Sequence, residues 1–209
     1  MSKKEIENNK KVHNNNSKTI KIGLITQNSP FINATELFNS FFEKSKPSYY
    51  KIKSQSSFEF SLLSIPELFI SIYHLTKIDE IHDKTIYNLY NFFLIFIDIQ
   101  NISTDSFLDK ILDNIIEVDD NNFNKKCYIY GFYQNNGEEK MTEEKITNIL
   151  ESKGIEYYYN EIIFDDIESF SKLIECSISD CNSIIVEKFL AQKHSELITD
   201  NSFSHCVIY

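Results

Sequence analysis

Apolar positions alternate between two spacings along this chain. Short β-branched runs give way to stripes of helical period, and the pattern then repeats. Residues 19–26, Thr-Ile-Lys-Ile-Gly-Leu-Ile-Thr, predict a first strand. The loop 27–32 follows, and Asn33 stands in capping position with Glu36 three residues on. The helix predicted over 34–44 places Leu37, Phe38, Phe41 and Phe42 on one side, and Lys46-Pro47 ends it. Residues 49–53 and 58–63 alternate as strands do. From 66 to 90, Leu68, Ile72, Tyr73 and Leu75, then Ile78, Ile81, Ile86 and Leu89, predict helix with a break near 79–83.

Residues 92–99 form the strongest strand signal. A run apolar on both faces belongs in the middle of a parallel sheet covered on both sides. An amphipathic helix is predicted over 103–117, with Phe107, Leu108, Ile111, Leu112, Ile115 and Ile116 turned inward. A strand over 127–132 and a turn over 134–137 come next. Thr142 caps a helix to Ser152, and Gly154 stops it. Residues 155–159 and 162–164 predict a strand or a kinked pair. Asp165 or Asp166 caps a helix to about Cys176, and a last helix runs over 183–197. Alternation of strand and helix implies a three-layer α/β domain on a parallel sheet, because parallel neighbours need crossovers that are usually helical. The expected division is a polar, disordered tail over 1–18, one domain over 19–197 and a flexible tail over 198–209.

Composition narrows the function. The 209 residues carry a net charge of -10 and no Trp, and every basic side chain is Lys. An acidic balance argues against a dedicated nucleic-acid binder. The first residues lack the apolar centre of a secretory signal, and no run approaches the roughly 18 apolar residues of a membrane span. These features predict a soluble intracellular protein. The spacing of Cys127, Cys176, Cys181 and Cys206 matches no zinc pattern. The last four residues, Cys206-Val207-Ile208-Tyr209, have the form read by prenyltransferases, which makes Cys206 a candidate lipidation site. The terminal Tyr and the absence of nearby lysines weigh against it.

The first strand-to-helix loop of an open α/β sheet is the usual phosphate site. Such a cradle needs glycines, free N–H groups, and a Lys followed by Ser or Thr at the helix start. Loop 26–33 has no glycine, Pro30 has no N–H, and Ala34 stands where the lysine belongs, beside Thr35. Asp98, at the end of the central strand, is placed where phosphoryl-transfer sites hold metal. Asn135-Asn136-Gly137-Glu138 has the Asn and acid of a guanine-reading motif without its lysine, and reads more simply as a turn. His74 and His82 flank Asp79, Glu80 and Asp83, a grouping that suits a solvated helix end better than a metal site. No nucleophile elbow is present. No catalytic, cofactor-binding or metal residue is therefore assigned, and no cofactor is expected.

This order of elements resembles a small GTPase with a spoiled phosphate loop. It is similar in particular to the centromere protein M family, in Leu94-Ile-Phe-Ile-Asp-Ile99, in Glu117-Val118-Asp119 at the end of the next helix, and in Phe123 and Lys125-Lys126-Cys127. The resemblance covers 91–176 best and 18–44 more thinly. It implies a pseudo-GTPase without enzymatic activity. Such a protein would be a nuclear scaffold of the inner kinetochore, part of the constitutive centromere-associated network, needed for centromere assembly and chromosome segregation. Its partners would be the protein subunits lettered H, I and K, with no direct nucleic acid and no small-molecule substrate. The alternative is a divergent Ras-like adaptor on the cytoplasmic face of a membrane, held there through prenylated Cys206.

Overall fold

The computed structural model describes residues 18–54, 57–61, 68–75, 84–90, 92–117 and 126–202. The first strand, β1 (Lys18–Thr26), leads into α1 (Ala34–Ser45). Strands β2 (Tyr49–Ser54), β3 (Ser57–Ser61) and β4 (Leu68–His74) follow, then a short 3-10 helix at Lys84–Leu89. The second half alternates regularly: β5 (Phe92–Asp98), α2 (Thr104–Glu117), β6 (Lys126–Tyr133), α3 (Glu143–Ser152), β7 (Glu156–Ile163) and α4 (Ile167–Ser202). The strands make one sheet in the order β2-β3-β4-β1-β5-β6-β7. β1 pairs parallel with both β4 and β5, and β5, β6 and β7 continue in parallel.

Three layers result. On one face, α1 and α4 cover a core that includes Phe38, Phe41, Phe58, Phe60, Phe96, Phe132 and Phe170. On the other, α2 and α3 cover Ile95, Ile97, Ile129 and the buried leucines and isoleucines of their own inner sides, while Tyr87 and Tyr90 pack on Phe93. Every residue of β5 is buried, as expected of a strand enclosed from both sides. The helix ends follow local chemistry. Asn33 caps α1, Lys46 takes a left-handed conformation at its end, Thr142 caps α3, and Gly154 turns the chain out of it with φ 65°.

Three expectations are corrected. Residues 68–74, expected in a helix, are β4. Leu68, Ile70 and Ile72 are buried at a period of two, and the gap between β3 and β1 gives their backbone groups partners. The sheet is not wholly parallel, because β2, β3 and β4 pair antiparallel. A connection as short as 55–56 can only return a strand antiparallel to its neighbour. The two C-terminal helices are a single α4 that runs on past Leu197 to Ser202. Ile178 and Cys181 are buried in line with Phe170 and Ile174, so packing carries the helix through a stretch of poor helix formers. Of the tail expected over 1–18, Lys18 opens β1 and the rest lies outside the described residues, as does the expected break near 79–83.

Candidate functional site

Order reverses between β1 and β5. The crevice beyond their C-terminal ends is where open α/β sheets place ligands. It is built from the β1–α1 loop, the end of β5 and the loops after β6 and β7.

Gln27, directly after β1, is 3% exposed. Its N–H donates to the Phe96 carbonyl at 2.9 Å, extending the ladder. Its side-chain oxygen accepts from the Asp98 N–H at 2.9 Å and lies 3.1 Å from the Thr104 hydroxyl. Its amide nitrogen donates to Ser103 Oγ at 3.3 Å. Asp98 is buried at the end of β5. One of its carboxylate oxygens accepts from Ser29 Oγ at 2.8 Å and the other from the Gln100 N–H at 3.1 Å. Ser29 Oγ in turn accepts from the Phe31 N–H. Both oxygens of the one acidic strand end are thus bonded from within the chain.

The start of α1 is closed in the same way. Asn33 Oδ1 accepts from the N–H groups of Thr35 and Glu36 at 3.1 and 3.3 Å, and the Leu37 N–H reaches the Asn33 carbonyl. These are the donors a phosphate would need. Ala34, in the lysine position, is buried. The Phe31 ring lies edge-on to Phe164, from the β7–α4 loop, with centroids 6.0 Å apart. With Asp98, Phe132, Tyr133 and Gln134 they line a shallow crease that has no enclosed room even for a water molecule. Ligand pockets usually measure about 300–1,000 Å³.

The turn Asn135–Glu138 serves its own backbone. Asn136 Oδ1 accepts from the Glu138 N–H at 3.0 Å, and Gly137 has φ 80°. Gln100 ties this turn to β5. It accepts from the Gln134 N–H at 2.7 Å and donates toward the Gln134 carbonyl and Asn136. The Met141 N–H to the Ile99 carbonyl, at 2.7 Å, closes the far side. His74 ends β4 with its Nε2 2.7 Å from Thr26 Oγ1. His82, Asp79, Glu80 and Asp83 lie outside the described residues, as does Cys206.

A second polar cluster sits at the opposite end of β6. Lys126 is 4% exposed. It bonds Asp180 of α4 at 2.9 Å, Glu156 at 3.0 Å and the Tyr158 hydroxyl at 3.1 Å, with its ammonium 4.1 Å from the Tyr158 ring centre. Burial alone would lower the Lys126 pKa, but the hydrogen bonds it donates to Asp180, Tyr158 and Glu156 outweigh it and raise it. Burial likewise works to raise Asp180, while bonds from Tyr128 and Lys126 hold it below the ordinary carboxylate value. Burial pushes the Cys181 thiol up to about 12. Cys176, by contrast, is exposed. Among the described residues no grouping of His, Cys, Asp and Glu is arranged to hold a metal ion, and no helix is long and apolar enough to cross a membrane.

Of the residues marked in the sequence, the structure brings Asp98 and the 135–138 turn to one edge, with the β1–α1 loop. Gln27, Ser29, Gln100 and Phe164 are the ones the sequence did not single out. Their partners are remote in the chain, and no local pattern marks them. No protein-family model matches this sequence, and no curated protein matches it.

Proposed function

We propose that this protein is a non-catalytic scaffold with a small-GTPase-like frame, and that the assembly it serves is the inner kinetochore. The frame is supported by the topology. β1 lies between β4 and β5, an antiparallel pair flanks β4, and three parallel strands with their helices complete the sheet. That arrangement resembles a small GTPase with β2 added as an extra edge strand.

One observation carries the reading. The groups that would hold a nucleotide are bonded to the protein itself: the α1 donors to Asn33, the Asp98 carboxylate to Ser29 and Gln100, and the crevice mouth to Phe31 and Phe164. A sheet locked in this way offers fixed surfaces rather than surfaces that change with a bound phosphate. The net charge of -10 suits basic protein partners better than DNA. The kinetochore assignment itself rests on the resemblance of 91–176.

The test is affinity purification of the tagged full chain from its source cells. Co-purification of the lettered inner-kinetochore subunits, with no guanine or adenine nucleotide released from the heated protein, is the expected result. Stoichiometric nucleotide in the heated supernatant would overturn the scaffold reading. Complexes that repeatedly lack kinetochore subunits would overturn the assembly named.

A further inference from the structure

The open sheet has two edges, and they are guarded differently. β2 is six residues long, shifts register between Ile52 and Ser54, and carries exposed Lys51. Short length, a bulge and a lysine are the usual devices that blunt an edge. β7 has eight residues, contains no proline, and keeps unbroken register with β6 from Glu156↔Lys126 to Ile163↔Tyr133.

The ladder fixes which of its backbone groups are spare. The Phe164 N–H donates to the Tyr133 carbonyl at 2.9 Å, and the Ile99 N–H to the Phe132 carbonyl at 3.0 Å. Successive residues of a strand direct their backbone groups to opposite sides. Tyr158, Asn160 and Ile162 therefore bond β6, and the N–H and C=O groups of Tyr157, Tyr159 and Glu161 point away from the sheet. No described group takes them up. The two carboxylates of this strand are balanced within the chain, Glu156 by Lys126 at 3.0 Å and Glu161 by Lys140. The edge is thus free of the repulsion that a chain of charge -10 would otherwise feel toward its own copy.

We propose that β7 is a self-association edge, pairing antiparallel with β7 of a second copy about a twofold axis at Tyr159. Two conditions limit the register, and an axis at Tyr159 meets both while lying near the middle of the strand. Facing residues must lie on the same side of the sheet, and the bonding pairs must both direct their groups outward. Tyr159 then faces Tyr159 of the other copy, and Tyr157 faces Glu161, each pair exchanging both backbone bonds. Between them Tyr158, which is 47% exposed, faces Asn160. No glutamate opposes another, whereas centring the axis on Glu161 would set that carboxylate against itself.

The experiment is sedimentation equilibrium of the full chain from micromolar to submillimolar concentration, with two sets of variants. The wild type dimerises. Glu161→Pro removes an outward N–H and the Lys140 ion pair but no backbone bond to β6, and it weakens dimerisation at least tenfold with unchanged circular dichroism. Glu161→Ala, which loses the same ion pair but keeps the N–H, weakens it far less. The second arm does not depend on the proline variant folding. In a Cys176→Ser, Cys206→Ser background, Tyr158→Cys with Asn160→Cys gives facing pairs with Cα atoms about 4.5 Å apart, within the roughly 4.4–6.8 Å span of a disulfide. Mild oxidation then yields a covalent dimer, and Tyr158→Cys alone, two residues out of register with itself, does not. A protein that stays monomeric at every concentration overturns the proposal. So does a dimer that Glu161→Pro leaves intact, or equal cross-linking by the single and double cysteine variants.

Discussion

Gln27 joins three segments of chain with one buried amide: β1, the end of β5 and the start of α2. Gln27→Leu keeps the volume and strands the Asp98 N–H. It is expected to cost about 1–3 kcal/mol, the desolvation penalty of an unpaired buried group, read from urea unfolding. A neutral result would mean that the edge is not held by this side chain. Gly23 is a second sensitive position, because an added Cβ would lie 2.8 Å from the buried Phe93 ring. Gly23→Ala should lose about 1–3 kcal/mol through overpacking. The thiols separate by burial. In a Cys206→Ser background, only Cys176 should be alkylated in the native state, with Cys127 and Cys181 reacting after unfolding. Mass spectrometry of the labelled protein reads this directly. The caps at Asn33, Thr142 and Gly154 were legible in the sequence because cap chemistry acts over three or four residues. Gln27 and Gln100 were not, since they bond groups 71 and 34 residues away.

Elements were legible where one physical signal dominated. β5 is apolar up to its terminal Asp98, and α2 carries a clean inner stripe, so both lie close to where the pattern put them. The segment Leu68–His74 carries two periods at once, and only the slot between β3 and β1 decides for strand. The sequence pattern ended one helix near Cys176 and began another at 183, but burial of Ile178 and Cys181 holds a single α4 together there. Ser179→Pro discriminates between the two arrangements. In a continuous helix it removes a backbone bond and should cost about 3 kcal/mol, while at a break it would be tolerated. The Lys126–Asp180 pair fastens α4 to β6, and its pH dependence has a definite sign. A carboxylate depressed in the folded state adds stability above its unfolded pKa of about 3.9, and that gain is lost as pH falls through the lower folded value. Asp180→Asn should therefore be less stable than wild type by about 1 kcal/mol at neutral pH, a modest figure because the carboxylate is 37% exposed and screened by solvent. The gap should close below about pH 4.

At the scale of the molecule, the three-layer class was readable from the strand–helix alternation, but the antiparallel β2-β3-β4 portion was not, because 66–90 was assigned to helix. That portion decides where the strand order reverses, and so where a ligand would sit. The weakness of loop 26–33 as a phosphate cradle was visible as missing residues. Beside the Asn33 cap, the other contacts that fill this edge became visible only with the fold: Ser29 on Asp98 and Phe31 against Phe164. The consequence is measurable on the intact chain. A nucleotide that binds only the folded state stabilises it by RT ln(1 + [L]/Kd), about 2.7 kcal/mol when the ligand stands at 100 times its Kd. For a chain of this length that corresponds to a rise in Tm of about 5–11 °C. Millimolar GTP or ATP with magnesium is accordingly expected to leave the melting temperature where it is, while nucleotide held with a Kd of about 10 μM would raise it by that amount. Ala34→Lys should not create the response. Asn33 already takes up the Thr35, Glu36 and Leu37 N–H groups at the start of α1, so an added positive charge there does not restore the donors a cradle needs.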